Sequence, residues 1–388
     1  MMLKPQELIQ NFKTMDSRQK VKMTLWIVVP ILVLLLPILL FEDNVVVIVN
    51  IFQPGSFSLL LNHIIIFSVP IFLAALGGLY SERSGVINLA LEGMMLAGSF
   101  IAVIVAYFTQ DLLLSIILGV VVGTLLGLIH AVISIHLKGD QIISGVAINI
   151  LALGLTNYFF KLMLSEVKPA DIPDIPTIND IMNWNAFFGS PPQTYDILKM
   201  IGYVLFEQSP LVYLAIGLAF LGHYVLFHTS FGLRVRAVGE HPRAADTLGI
   251  NVYFTRYACV IISGALAGLA GVYLSLGFTG FFAKNMTAGR GFIAIAAYIF
   301  GNWNVAGTAI ASLLFGFFTA LEEFLKLKEI FLMLPIPFPG IGLREINILA
   351  EEFLEMIPYL LTIAILTRSV RKIRPPSAIG KSYDRELK

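Results

Sequence analysis

Apolar runs separated by short polar breaks set the pattern of this chain. A hydrocarbon core of about 30 Å takes about 20 residues of helix. On that measure spans are predicted at 25–41, 57–79, 86–108, 112–135, 142–164, 211–228, 257–276, 292–300, 305–324 and 357–366. The eighth is too short to cross alone and is expected to begin inside the polar stretch 280–291 (GFFAKNMTAGRG) before it. Glu42, Asp43 and Asn44 close the first run, and Ser81, Glu82, Arg83, Ser84 and Gly85 follow the second as a helix-break motif. A long acidic, proline-rich segment, 165–209, lies between the fifth and sixth runs. Between the sixth and seventh lies a hydrophilic island, 229–256 (TSFGLRVRAVGEHPRAADTLGINVYFTR).

The expected fold is an all-α polytopic membrane protein of about ten transmembrane helices. Residues 1–24 form an N-terminal segment, 25–367 the transmembrane domain and 368–388 a tail. Lysine and arginine near the span ends gather in the N-terminus, at Lys138, in the island and in the tail. The positive-inside bias puts all four, and both termini, in the cytoplasm, and makes 165–209 an extracytoplasmic insertion. A span, a glycine-flanked polar insert and a small-residue helix occur at 57–108 and again at 257–324. The two inserts face opposite sides on this topology, which reads as an inverted internal repeat of the kind that builds a central pathway in transporters.

Composition narrows the class without naming a partner. Hydrophobic residues make up 57%, charged residues 13%, and mean hydropathy is +0.84, which excludes a soluble domain. A net charge of +1 gives no reason to expect nucleic acid. The single cysteine, Cys259, rules out an intrachain disulfide framework. The polar, basic opening followed by a long apolar run reads as an uncleaved first span.

Within the island one compact helix is predicted, with His241 as N-cap, Pro242 at the first helical position and Gly249 just past the end. Ala244, Ala245 and Leu248 are expected on one small apolar face, suited to pressing into another protein. Intramembrane polar residues are costly and usually functional. Asn62, Asn88, Glu92 and Asn149 are the candidates for lining a path. For Glu92, i+4 from Asn88, two readings stay open: a path or interhelical lock, or a local cap or pair with Arg83. Glu82 and Arg83 read as a structural pair at the helix break. Asn62, His63, His130, Asn149 and Asn157 are more often interhelical hydrogen-bond partners than ligands. Gly119, Gly123 and Gly127, and Gly264, Gly268 and Gly271, read as close-packing faces.

Catalytic patterns are lacking. Gly380-Lys381-Ser382 ends like a phosphate loop, but Pro375 stands where its first glycine belongs and no strand precedes it, so it reads as a solvated tail. No metal-ligand or nucleophile motif is present, and the chain is expected to be non-enzymatic.

The segment 76–96 (LGGLYSERSGVINLALEGMML) resembles the hallmark of nucleoside ABC importer permeases, which belong with the branched-chain amino acid and ribose permeases. Residues 236–245 (RAVGEHPRAA) with Gly249 and Ile250 resemble that family's coupling segment, and 299–304 and 314–316 its later segments. The resemblance implies one permease of a pair, driven by a cytoplasmic ATPase that holds the ATP and magnesium, with no cofactor in this chain. It implies a substrate-binding lipoprotein outside and a nucleoside cargo, with riboflavin or a sugar as the alternative. Arg236, Gly239, Glu240, Pro242, Ala244, Ala245, Leu248 and Gly249 would couple to the ATPase, with Arg234, Arg236 and Arg256 as flanking anchors at the lipid surface. Whether Glu240 touches the ATPase or braces the loop stays open. A proton-coupled secondary transporter using Glu92 is the rival of another class.

Overall fold

The structure, a computed structural model, describes residues 53–184, 190–192, 196–327, 333–338, 342–347, 356 and 374–384. The expected first and last spans, 25–41 and 357–366, lie outside the described residues. In chain order the described helices are α1 (Pro54–Arg83), α2 (Leu91–Thr109), α3 (Leu112–Ala131) and α4 (Gln141–Met163). The short α5 (Ile178–Met182) and α6 (Ile197–Phe206) precede α7 (Pro210–His228). Then come α8 (Ser230–Glu240), α9 (Pro242–Thr247), α10 (Val252–Val272), α11 (Arg290–Phe300) and α12 (Val305–Leu327). π-Helical turns extend α3 over Val132–His136 and α10 over Tyr273–Thr279.

Seven of the described helices are long and apolar enough to cross a membrane. The predicted eighth span is α11; its 11 residues reach only about 16 Å at 1.5 Å per residue, half of the hydrocarbon core. The helix starts follow ordinary capping chemistry. Proline opens α1, α7 and α9, while Asp111, Asp140, Thr229 and Asn251 accept from first-turn N–H groups of α3, α4, α8 and α10.

α1 and α10 form the buried centre and run antiparallel. Gly77 of α1 meets Ser263 of α10, and Arg256 near the start of α10 reaches Ser84 just past the end of α1. α3 packs on α10 through glycine. A Cβ on Gly123 would lie 2.4 Å from the Gly264 carbonyl oxygen, so the two backbones can approach this closely only without side chains. The outer faces of α3 and α4 expose Leu113, Ile117, Val121 and Leu125, and Ile142, Val146 and Ile150. Apolar stripes at helical spacing, facing away from the centre, are what lipid contact requires.

Three departures from the sequence expectation have local causes. α1 runs on through Ser81, Glu82 and Arg83, so the break is the segment 84–90 rather than 81–85, and α2 begins at Leu91 rather than at residue 86. The insertion 165–209 contains α6, which buries Gly202 and Tyr203 and exposes Ile197, Leu198, Ile201 and Leu205. Residues 333–338 and 342–347 pair as an antiparallel hairpin with Met333 opposite Asn347 and Phe338 opposite Gly342, a small non-helical element in the stretch 325–352.

Candidate functional site

The hydrophilic island folds as two helices, not one. Thr229 Oγ1 accepts from Gly232 N at 3.2 Å and starts α8, whose Val235 and Val238 are fully buried. Near its end, a Cβ on Gly239 would lie 2.0 Å from the Arg83 carbonyl oxygen, so α8 lies directly on the last turn of α1. α8 ends at His241, Pro242 opens α9, and the Ala245 N–H donates to the His241 carbonyl at 3.0 Å. The helix stops at Gly249, whose φ of +81° is the left-handed conformation that glycine adopts without Cβ strain. Ile250 N–H closes the cap on the Ala245 carbonyl at 3.1 Å.

The expected docking face is corrected by this packing. Ala245 points home, 2% exposed, against Val238, Val252 and Tyr383, whereas Ala244 is exposed and Leu248 is 82% exposed. The outward face is therefore Arg243, Ala244, Thr247 and Leu248. The flanking arginines also separate. Arg234 is exposed; Arg236 lies over the Phe227 ring at 5.3 Å; Arg256 is buried and donates to the carbonyls of Ser84 (3.2 Å) and Lys381 (3.0 Å), so it is no lipid anchor.

Residues 374–384 are not a solvated tail. Ala378 N–H donates to the Gly239 carbonyl at 2.9 Å, and the N–H and hydroxyl of Ser377 donate to Glu240 Oε2 at 3.2 and 2.7 Å. Gly380 N–H donates to the Gly85 carbonyl at 3.0 Å, and Lys138 Nζ meets Asp384 at 2.6 Å. Glu240 thus braces an intramolecular contact. A cleft of about 600 Å³ lies between α9 and this segment, lined among others by Glu240, Arg243, Ala244, Lys381 and Asp384.

The helix-break residues tie α1 to the far end of α11. Glu82 accepts from Tyr298 Oη at 2.6 Å and Trp303 Nε1 at 2.7 Å; Arg83 Nε donates to the Trp303 carbonyl at 2.8 Å. The two side chains each grip the segment 298–303 instead of each other, which corrects the expected Glu82–Arg83 pair. Asn302 and Trp303 have φ of 53° and 50°, left-handed conformations uncommon for non-glycine residues, and the bonds to Trp303 brace the turn. Ser81 Oγ donates to the Val86 carbonyl and Ser84 Oγ to the Ser81 carbonyl, both at 2.7 Å, and Gly85 turns the chain at φ +94°.

Three of the four path candidates, Asn88, Glu92 and Asn149, gather where α2 and α11 begin. Glu92, in the first turn of α2, accepts from Gly289 N–H at 2.8 Å through Oε1 and from Gly291 N–H at 2.6 Å through Oε2. One buried carboxylate therefore serves the N-terminal ends of two helices, where the macrodipole favours negative charge. It makes no pair with Arg83. Asn149 of α4 accepts from Gly93 N–H and donates to the Leu89 carbonyl, both at 2.8 Å. Asn88 precedes α2, so it shares no helix face with Glu92; it donates to Ser263 Oγ at 2.9 Å and accepts from Ala90 N–H at 3.0 Å. Asn62 is remote from this group; it is buried on α1, and its Nδ2 has no hydrogen-bond partner among the described residues. His130 bridges Ser144 Oγ and the Ile87 carbonyl at 3.0 and 2.9 Å.

Sequence reasoning missed Tyr298, Trp303 and residues 374–384. Trp303 stands in the segment Gly301-Asn302-Trp303-Asn304, where a tryptophan among small and polar residues was the available signal. The tail contacts are mostly made by backbone groups and leave no residue pattern to read.

Comparison with known proteins places these features in context. Residues 60–366 match the family model described as branched-chain amino acid transport system / permease component. The chain is 37% identical over 336 residues to a nucleoside ABC transporter permease of Lactococcus lactis, covering 85% of this chain and 98% of the relative. It is 38% identical over 338 residues to a guanosine ABC transporter permease of Bacillus subtilis, covering 84% and 96%. A putative glucose ABC transporter permease of Haloferax volcanii is 35% identical over 344 residues, covering 84% and 98%. No solved structure matches.

Proposed function

The chain belongs to the branched-chain amino acid transport system permease family, and on that premise we propose that it is one permease subunit of an ATP-driven importer of nucleosides. The observation that carries the cargo class is the near-complete coverage, 98% and 96%, of two relatives named for nucleoside and guanosine transport. The chain is an integral membrane protein and a transport component. ATP and magnesium are assigned to a separate ATPase, with a second permease completing the path and a binding lipoprotein delivering cargo.

In this reading α8 and α9 stand on the cytoplasmic side, supported by Arg234, Arg236 and Arg243 under the positive-inside bias. The exposed face Arg243, Ala244, Thr247 and Leu248 presses into a groove on the ATPase, as an amphipathic helix does in peptide recognition. Its inner neighbours Ala245 and Gly239 bind it rigidly to α10 and to the end of α1. ATP-driven closure of the ATPase then moves α8 and α9 as one body and pulls on the last turn of α1. The breaks at 84–90 and 280–289 enter from opposite ends of the bundle and bring the starts of α2 and α11 together at Glu92. That arrangement supports an inverted repeat with a central hinge.

Reconstitution tests the reading. The chain, a second permease, the ATPase and the binding lipoprotein are placed in proteoliposomes, and uptake of tritiated guanosine, adenosine and uridine is measured with and without internal ATP. ATP-dependent uptake of at least one nucleoside, not competed by glucose, is expected. Uptake of glucose in place of nucleosides would favour the sugar reading that the Haloferax relative suggests. Uptake driven by a proton gradient without ATP would overturn the importer assignment.

A further inference from the structure

Residues 374–384 touch several separate parts of the molecule. Through Ser377 and Ala378 they bond to Glu240 and Gly239 at the end of α8. Through Gly380 they bond to Gly85, in the break that follows α1. The Lys381 carbonyl accepts from the buried guanidinium of Arg256 on α10, which also holds the Ser84 carbonyl. Arg374 N–H donates to Asn302 Oδ1 at 2.9 Å, in the turn that follows α11. Tyr383 is buried against Tyr253, with ring centroids 5.5 Å apart, in the same apolar cluster as Ala245 of α9.

The pattern of these contacts is selective. Each joins the segment to a point at which a helix ends or the chain turns, and together they span α8, α9, the break after α1, the start of α10 and the turn after α11. A Cβ on Gly85 would lie 3.0 Å from Arg256 Nη2 and 3.1 Å from the Ala378 carbonyl oxygen, so the segment and the guanidinium close directly over the break. A peptide that only covered the surface would not need a buried arginine and five backbone hydrogen bonds to fix its course.

We propose that residues 374–384 are a tie between the ATPase-docking element, the break after α1 and the turn after α11, transmitting displacement of α8 and α9 to the ends of α1 and α11. This rests on the docking role assigned above to α9. The tie works because the segment contributes mostly its own backbone groups, held by the carbonyls of Gly239 and Gly85 and by the side chains of Glu240, Arg256 and Asn302, so its course does not depend on its own rotamers. It follows that the segment is needed for coupling and not for capture of the ATPase, because the outward face of α9 remains intact without it.

The test compares the reconstituted complex with one whose permease stops after residue 373. Transport of guanosine per ATP hydrolysed is expected to fall by about tenfold, within the usual range of coupling between sites, while the ATPase is still captured. Undiminished transport per ATP overturns the tie, and so does loss of ATPase capture, which would make the segment a docking peptide instead. Should the shortened chain fail to accumulate in the membrane, Ala378→Asp decides. It puts a charge at a side chain 4% exposed and should uncouple in the same way, and a variant that transports like the wild type overturns the proposal. Lys381→Ala, which removes an exposed side chain and keeps the carbonyl that Arg256 holds, should leave coupling unchanged. A wild-type complex that neither captures an ATPase nor moves a nucleoside overturns the functional reading and the tie together, whereas a working wild type with an unaffected truncation removes only the tie.

Discussion

Replacing Glu92 by alanine separates a structural carboxylate from one that touches cargo. The side chain is 8% exposed, and its two oxygens receive the N–H groups of Gly289 and Gly291 at 2.8 and 2.6 Å. Truncation leaves two donors with no acceptor, the Gly291 N–H buried and the Gly289 N–H half-buried, at about 1–3 kcal/mol each. Loss of the charge between two helix N-termini adds roughly 0.3–2 kcal/mol. Glu92→Ala should therefore destabilise by about 2–8 kcal/mol in all, while Glu92→Gln, which keeps the shape and one acceptor, should lose about 1.5–3 kcal/mol, the worth of a charged hydrogen bond. The chain supplies its own reporter: Cys259 is the single cysteine and is fully buried, so a fluorogenic maleimide reacts only as the protein opens. The expected order of melting in detergent is wild type, then Gln, then Ala. An alanine variant that melts with the wild type but has lost uptake would refute the capping argument and return Glu92 to the path.

Other expectations follow from the same contacts. Leu248→Glu should abolish ATPase capture without shifting the melt, since the side chain is 82% exposed, whereas Ala245→Glu should lower the melt itself because that site is 2% exposed. Gly249→Ala should cost about 1–2 kcal/mol for the left-handed backbone at φ +81°, read as a lower melt and weaker capture. Gly123→Val should prevent α3 from seating on α10, seen as loss of monodisperse protein after extraction, because even a Cβ there meets the Gly264 carbonyl oxygen at 2.4 Å. Tyr298→Phe removes one of two hydrogen bonds to a buried carboxylate and should cost about 1.5–3 kcal/mol in the same maleimide melt.

The described membrane spans were legible because a helix in lipid must be apolar over its length, and that demand overrides finer detail. The ends of α9 were legible too, since Pro242 and Gly249 act through their own backbone preferences. Which way α9 faces was not. Consecutive residues on a helix are about 100° apart, so Ala244 and Ala245 can fall on one broad face or on either side of its edge, and which one turns inward is decided by Val238, Val252 and Tyr383. α8 was hidden because Val235 and Val238 are spaced for a helix within a charged stretch that read as a loop. Glu82 illustrates the larger limit. Its partners Tyr298 and Trp303 lie 216 and 221 residues further along, and no local pattern announces a contact of that range.

The placement of residues 374–384 also has a meaning for biosynthesis. Their partner Glu240 is translated 137 residues before Ser377, and every described span emerges from the ribosome before the segment does. During insertion, then, α8 and α9 stand at the membrane surface with Arg256 and the break at Gly85 uncovered. The bonds that close over them form only after the hydrophobic part of the chain has been delivered to the bilayer. A nascent permease thus carries the surface on which its motor would dock well before it carries the contacts that finish that end of the molecule, and the finished end marks a chain whose described spans have all been made.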